Sequence, residues 1–216
     1  MEPAAVLFDN DGLTLDTEPI WTRAEEALFA RYGSAFTLDH KRYLLGSSPA
    51  VSARKLEELL GRPGAALGAE LQELTIAGFA DGVAPMPGAV ELIDALKAAG
   101  VPVGLVSNST RRFVDAALAA AELSTTFGVT VVGDEVAAAK PAPDAYLAAA
   151  RALGADPGRC VALEDSPTGL EAARAAGMVT IGVPSVEGMV LEADVVAPSL
   201  SDAAVWAAVG LERPVR

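Results

Sequence analysis

From residue 88 onward the chain alternates between segments of helical periodicity and short apolar runs, and no other feature restricts its fold as strongly. Helical stretches at 88–99, 110–121, 143–153 and 166–176 are interleaved with the runs PVGLV (102–106), VTVV (129–132), CVAL (160–163) and VTIGV (179–183). A short strand near 194–197 and a helix near 201–208 follow. Such alternation predicts parallel strands joined by crossover helices. One earlier run, Ala5 to Phe8, reads as a strand buried on both faces. Between residues 13 and 100 no other strand is expected. Apolar residues there, beginning with Ile20, Ala24 and Leu28, follow helical spacing in stretches at 18–32, 37–45, 49–60 and 66–80. The stretch closes with the Pro- and Gly-rich DGVAPMPG at 81–88. The expected architecture is α/β: a parallel-sheet core of residues 1–15 plus 84–216, with an all-helical unit, 16–83, inserted into it.

Composition limits the partners. The 216 residues carry a formal net charge of −13, which repels nucleic acid and anionic membranes, so neither is expected to bind. An anionic substrate would need local cations from lysine, arginine or a metal. No apolar run reaches the ~18 residues of a membrane span. The single cysteine, Cys160, sits in an apolar run and reads as a core residue. The chain enters a strand by about residue 4, leaving no room for a signal peptide, and a cytoplasmic location is expected.

Polar residues of particular kinds stand at the ends of the core strands. Asp9 and Asp11 follow AVLF, with Gly12 behind them to turn the chain. If the strand extended past Phe8, the two carboxylates would point the same way. Ser107, Asn108 and Ser109 follow PVGLV, Glu164 and Asp165 follow CVAL, and Lys140 lies a few residues after VTVVG. Parallel strands end on one edge, where open α/β sheets hold their ligands. Neighbouring carboxylates repel, so such a pair tends to bind a cation or share a proton. Each residue also has a structural explanation. DNDG is a good turn sequence, Ser109 and either Asp165 or Ser166 are candidate helix caps, and Lys140 fits a solvated loop. Their joint occurrence at successive strand ends favours the site.

The same residues carry a family resemblance. DNDGLTLDTE resembles the first motif of the haloacid dehalogenase superfamily, VSNS its second, Lys140 within AAAKPAPDAY its third, and VALEDSPTGLEAARAAGM its fourth. The resemblance covers essentially the whole chain. It is closest to the branch with a helical cap inserted after the first motif, which includes phosphoglycolate phosphatase, β-phosphoglucomutase and sugar phosphatases. It implies a Rossmann-like parallel sheet with an inserted all-helical cap, and a Mg²⁺-dependent phosphatase working through an aspartyl-phosphate. Asp9 would be the nucleophile and Asp11 the general acid and base. Ser107, Lys140 and the backbone amides near Asn10 and Asn108 would hold the phosphoryl group. Asp9, Asp165, the backbone carbonyl of Asp11 and Glu164, directly or from behind, would hold the metal. The implied substrate is a small phosphate ester, a sugar or sugar-acid phosphate, handled by a monomer or weak dimer. A phosphomutase is the alternative. Phosphoglycolate phosphatase and a non-enzymatic phospho-receiver stand further off. A hydrolytic dehalogenase is disfavoured, because that branch lacks the second aspartate, here Asp11.

Specificity is expected from the cap. The mutase branch carries a lysine before the cap glycine and an arginine after it, where this chain has Leu45 and Pro49. A bisphosphate intermediate would then be poorly held. Trp21, Gly46 and Ser47 are candidate substrate contacts, although for Trp21 packing under the cap is the favoured reading, since aromatics at helical spacing are usually core. Arg54 and Lys55 fit a solvated helix face, and His40 reads as surface. Hinges for cap closure are expected near 14–17 and 82–87.

Overall fold

The structure, a computed structural model, describes residues 2–44, 47–186 and 188–213. Among these residues one sheet forms, in the order β3-β2-β1-β4-β5-β6, with every neighbouring pair parallel. The strands are β1 (Ala5–Phe8), β2 (Val103–Ser107), β3 (Val129–Val132), β4 (Cys160–Glu164), β5 (Val179–Gly182) and β6 (Val195–Val196). The chain runs outward from β1 in one direction through β2 and β3, and in the other through β4, β5 and β6. Strand order therefore reverses at β1, and the crevice of this Rossmann-like sheet opens beyond its C-terminal end.

β1 is buried throughout, and its alternating side chains serve two cores. Val6 and Phe8 pack with Leu92, Ile93 and Leu96 of helix α5 (Ala89–Ala98) and Val205 and Trp206 of the last helix, Ala203–Ala208. Ala5 and Leu7 pack on the other face with Ala145, Tyr146 and Ala149 of α7 (Asp144–Ala152) and Ala172 and Ala173 of α8 (Pro167–Ala175). The alanine-rich α7 and α8 let that layer approach closely.

Four helices run between β1 and β2: α1 (Glu18–Arg31), α2 (Leu38–Leu44), α3 (Pro49–Leu60) and α4 (Gly64–Gly78). They share a small core in which Leu28, Leu56 and Leu67 are fully buried. Each such leucine contributes roughly 1.5–3 kcal/mol of burial. The two connections to this helical cap lie side by side. Asp16 N–H donates to Ala84 O (2.9 Å) and Met86 N–H to Thr14 O (2.9 Å). The base of the cap rests on α6 (Arg111–Ala120), where Phe113 stacks on Trp21 at 5.1 Å and meets Phe79 edge-on.

His40 corrects the surface reading. It lies half-buried against Phe29 and Phe36, and its Nδ1 accepts from Thr37 N–H (3.2 Å) while its own N–H donates to Thr37 Oγ1 (3.3 Å). Here the imidazole is a packing and capping group.

Asn10 sits between the two strand-end aspartates, fully buried, and neither polar atom of its side chain has a partner among the described residues. A buried unpaired polar group costs about 1–3 kcal/mol. Asn10→Leu, close in volume and apolar, is expected to stabilise the protein by about that amount, read as a higher midpoint in thermal or urea unfolding.

Candidate active site

Strand pairing runs one residue further than the apolar runs do, and this sets the site. Ser107 still pairs with Val132 and Glu164 with Gly182, so these polar residues are the last of β2 and β4 rather than the first of their loops. β1 stops at Phe8, with Asp9 N–H still bonded to Leu163 O (3.0 Å). The chain then turns, with Thr14 and Leu15 N–H both donating to Asn10 O and Gly12 at φ +81°. The turn breaks the extension that would have aimed Asp9 and Asp11 alike, and the two carboxylates have separate partners. Gly12 is required twice over: by that φ, and because a Cβ there would lie 2.4 Å from Asp165 Oδ2.

Lys140 organises the buried half. Asn108 clamps its backbone, Oδ1 accepting from Lys140 N–H (2.8 Å) and Nδ2 donating to Lys140 O (3.1 Å). The ammonium, 4% exposed as a residue, then donates to Asp9 Oδ1 (2.6 Å), Val106 O (2.8 Å) and Glu164 Oε1 (2.5 Å). Burial alone would push its pKa down, but Asp9 and Glu164 outweigh it and hold it above the ordinary lysine range. Glu164 is fully buried. Its Oε1 also accepts from Tyr146 Oη (2.6 Å) and its Oε2 from Ser166 Oγ (3.2 Å). The carboxylate lies so close to α8 that a Cβ at Gly169 would stand 2.0 Å from both its oxygens.

Asp11 is held by hydroxyls. Oδ1 accepts from Thr17 Oγ1 (2.9 Å), and Oδ2 from Ser109 Oγ (3.1 Å), with Ser107 Oγ at 3.5 Å. Ser109 is free for this because Thr110 caps α6, its side chain accepting from Phe113 N–H. Likewise Ser166 caps α8 and leaves Asp165 free, its Oδ2 accepting from Ser185 Oγ (2.6 Å). Thr17, Ser109 and Tyr146 lie within the motifs but their partners follow from turn geometry and packing, and Ser185 carries no signal of this use in its local sequence. Asn10's side chain is not among those lining the cavity.

Four carboxylates, Asp9, Asp11, Glu164 and Asp165, therefore face one lysine. Burial, with repulsion from Glu164 and Asp165 added and attraction to Lys140 opposing, pushes Asp9 well above the usual carboxylate range. Burial and Glu164 push Asp165 up to about 8. One carboxylate oxygen from each of Asp9, Glu164 and Asp165 lies within 4.8 Å of the others. Hard oxygen donors with excess negative charge fit a divalent cation of the Mg²⁺ or Ca²⁺ type. Of the three, Glu164 is already committed to Lys140 and Tyr146.

A cavity of about 720 Å³ opens between these strand ends and the cap. Asp9, Asp11, Ser107, Asn108, Lys140 and Asp165 line its floor. Trp21, Ser47 and Pro49 line the cap side, whereas Arg54 and Lys55 do not, and Lys55 instead donates to Ser47 Oγ (2.8 Å). Trp21 stacks on Phe113, as the packing reading expects, and also lines the cavity. Leu45 and Gly46 lie outside the described residues.

Residues 3–177 match the family of haloacid dehalogenase-like hydrolases. The chain belongs to that family. Among its relatives is Protein CbbY of Rhodobacter capsulatus, 36% identical over 197 residues, spanning 86% of this chain and 87% of that protein. Another is the fructose-1-phosphate phosphatase YqaB of Escherichia coli (strain K12), 34% identical over 184 residues, 83% of this chain and 96% of that one. A solved structure of a CbbY variant from Rhodobacter sphaeroides, in complex with xylulose-(1,5)bisphosphate, is similar at a TM-score of 0.82 and 31% identity, covering 93% of this chain and 96% of that one. Among the described residues no helix is long and apolar enough to cross a membrane.

Proposed function

We propose that the protein is a Mg²⁺-dependent phosphatase of a small phosphorylated metabolite, a sugar or sugar-acid phosphate, working through an aspartyl-phosphate on Asp9. The observation that carries this reading is the double contact of Lys140 with Asp9 and Glu164, next to an Asp11 held by hydroxyls, in one cavity floor. Asp9 attacks phosphorus as the ester P–O bond breaks, and Asp11 gives its proton to the leaving alcohol oxygen. Asp11 then takes a proton from the water that attacks the aspartyl-phosphate, releasing phosphate and restoring both carboxyl groups. Lys140 orients Asp9 and neutralises charge beside it, and Ser107 with the amides near Asn10 and Asn108 would hold the phosphoryl oxygens.

Asp9, Asp165, the Asp11 carbonyl and Glu164, directly or through its neighbours, would hold Mg²⁺. When bound, the ion supplies positive charge to the phosphoryl oxygens and relieves the crowding of carboxylates. The separate partners of Asp9 and Asp11 support one carboxylate for attack and another for proton transfer. The cap, residues 16–83 joined through the paired connections near 14–17 and 82–87, would set specificity and exclude water.

Phosphate release from a panel of sugar phosphates, phosphoglycolate and p-nitrophenyl phosphate tests the reading. Turnover is expected with Mg²⁺, lost in EDTA and restored by added Mg²⁺. Full turnover in EDTA overturns the metal assignment, and no release from any ester overturns the phosphatase.

A further inference from the structure

The cap side of the cavity is built around a lysine whose charge is already used. Lys41 of α2 reaches across to α1, where its Nζ lies 2.8 Å from Glu18 Oε2 and 3.0 Å from Glu25 Oε2. All three line the cavity that contains Asp9, Asp11 and Lys140. The group is sheltered: the side chains of Glu25 and Lys41 are 7% and 17% exposed. Burial raises the Glu25 carboxyl to about 6 against the pull of Lys41, so it is ionised at neutral pH. Two carboxylates against one ammonium leave the wall net negative. The other cation lining this side, Arg42, points to solvent with a 71% exposed side chain and pairs with Asp39 at 3.5 Å.

We infer that the Glu18–Lys41–Glu25 group selects the substrate's leaving group, accepting the hydroxyls of a neutral polyol or sugar and rejecting a second anion. This rests on the phosphatase reading and narrows it, removing the sugar-acid and bisphosphate branches. The physical basis is that a second phosphate or a carboxylate seated here meets like charge in a sheltered site, where such juxtaposition is costly. A hydroxyl meets acceptors instead. Glu18 and Glu25 both use Oε2 for Lys41, which leaves Oε1 of each to accept an O–H. Gln72 and Ser52, also on the cavity lining, add neutral polar contacts.

The test compares kcat/KM, with Mg²⁺ present, for three probes: fructose 1-phosphate, 6-phosphogluconate and fructose 1,6-bisphosphate. The wild type is expected to favour the first over either of the others by about tenfold to a hundredfold. In Glu25→Gln one restraint on Lys41 is neutralised, and the preference should shrink by about tenfold, mainly through a lower KM for the anionic probes. Glu18→Gln neutralises the other carboxylate beside Lys41 and should shrink the preference to a similar extent, so each variant reads the charge of this wall independently. If one fails to fold, the other still decides. Equal efficiency on all three probes, or variants that leave the ratio unchanged, would overturn the inference. Loss of hydrolysis of every ester, p-nitrophenyl phosphate included, would instead sink the phosphatase reading beneath it.

Discussion

Asp9→Asn is expected to lower kcat for any phosphate ester by on the order of 10⁴-fold or more, the scale seen when a nucleophile is removed from a working catalytic group. The substitution is nearly isosteric. The amide oxygen can still accept from Lys140, which keeps Glu164 and Val106 O as its other acceptors. Loss of one negative charge also relaxes the repulsion that Asp9 feels from Glu164, Asp165 and Asp11. The variant should therefore fold and unfold much like the parent. An amide is a poor nucleophile, so no acid-stable label should transfer to the protein from a substrate labelled at phosphorus, and no burst of alcohol should appear in rapid mixing. Retained turnover in a folded Asp9→Asn protein would remove Asp9 from the role of nucleophile.

The framework of this site was legible in the chain, because each part stands at the end of an apolar run and parallel strands bring their ends to one edge. Asp9, Ser107, Glu164 and Asp165 stand at such ends, and Lys140 lies a few residues beyond one. Two details escaped because pairing, rather than hydrophobicity, determines where strands end. β2 and β4 each run one residue beyond their apolar stretch, which buries Ser107 and Glu164 in the sheet. β1 ends at Phe8, and the turn after it separates the partners of Asp9 from those of Asp11. Tyr146 was visible as part of a motif, but its hydroxyl's contact with Glu164 depends on how α7 lies against β4. The Glu18–Lys41–Glu25 group was invisible, since packing of α1 against α2 creates it and the spacing in sequence follows no local rule. His40 departs from its surface expectation for a similar reason: flanking charges point to solvent, while the helix turns the ring toward Phe29 and Phe36.

Lys140→Met is expected to damage both activity and stability, and the pairing of the two effects is diagnostic. The ammonium's three donors meet three acceptors, Asp9 Oδ1, Val106 O and Glu164 Oε1. Methionine fills similar space and supplies none of them. Glu164, fully buried, would keep only Tyr146 and Ser166, and removing one partner of a buried ion pair typically costs about 3–5 kcal/mol. Activity should fall by about 10³-fold, since Asp9 loses its orienting contact and the phosphoryl group its fixed cation. Lys140→Arg is expected to rescue little of either loss. A planar guanidinium cannot direct three donors from one point, and a wider head group would have to displace the three acceptors now 2.5–2.8 Å from Lys140 Nζ. Urea unfolding and kcat on p-nitrophenyl phosphate measure the two losses. A solvated loop lysine would give near-zero change in both, and that outcome would detach Lys140 from the site.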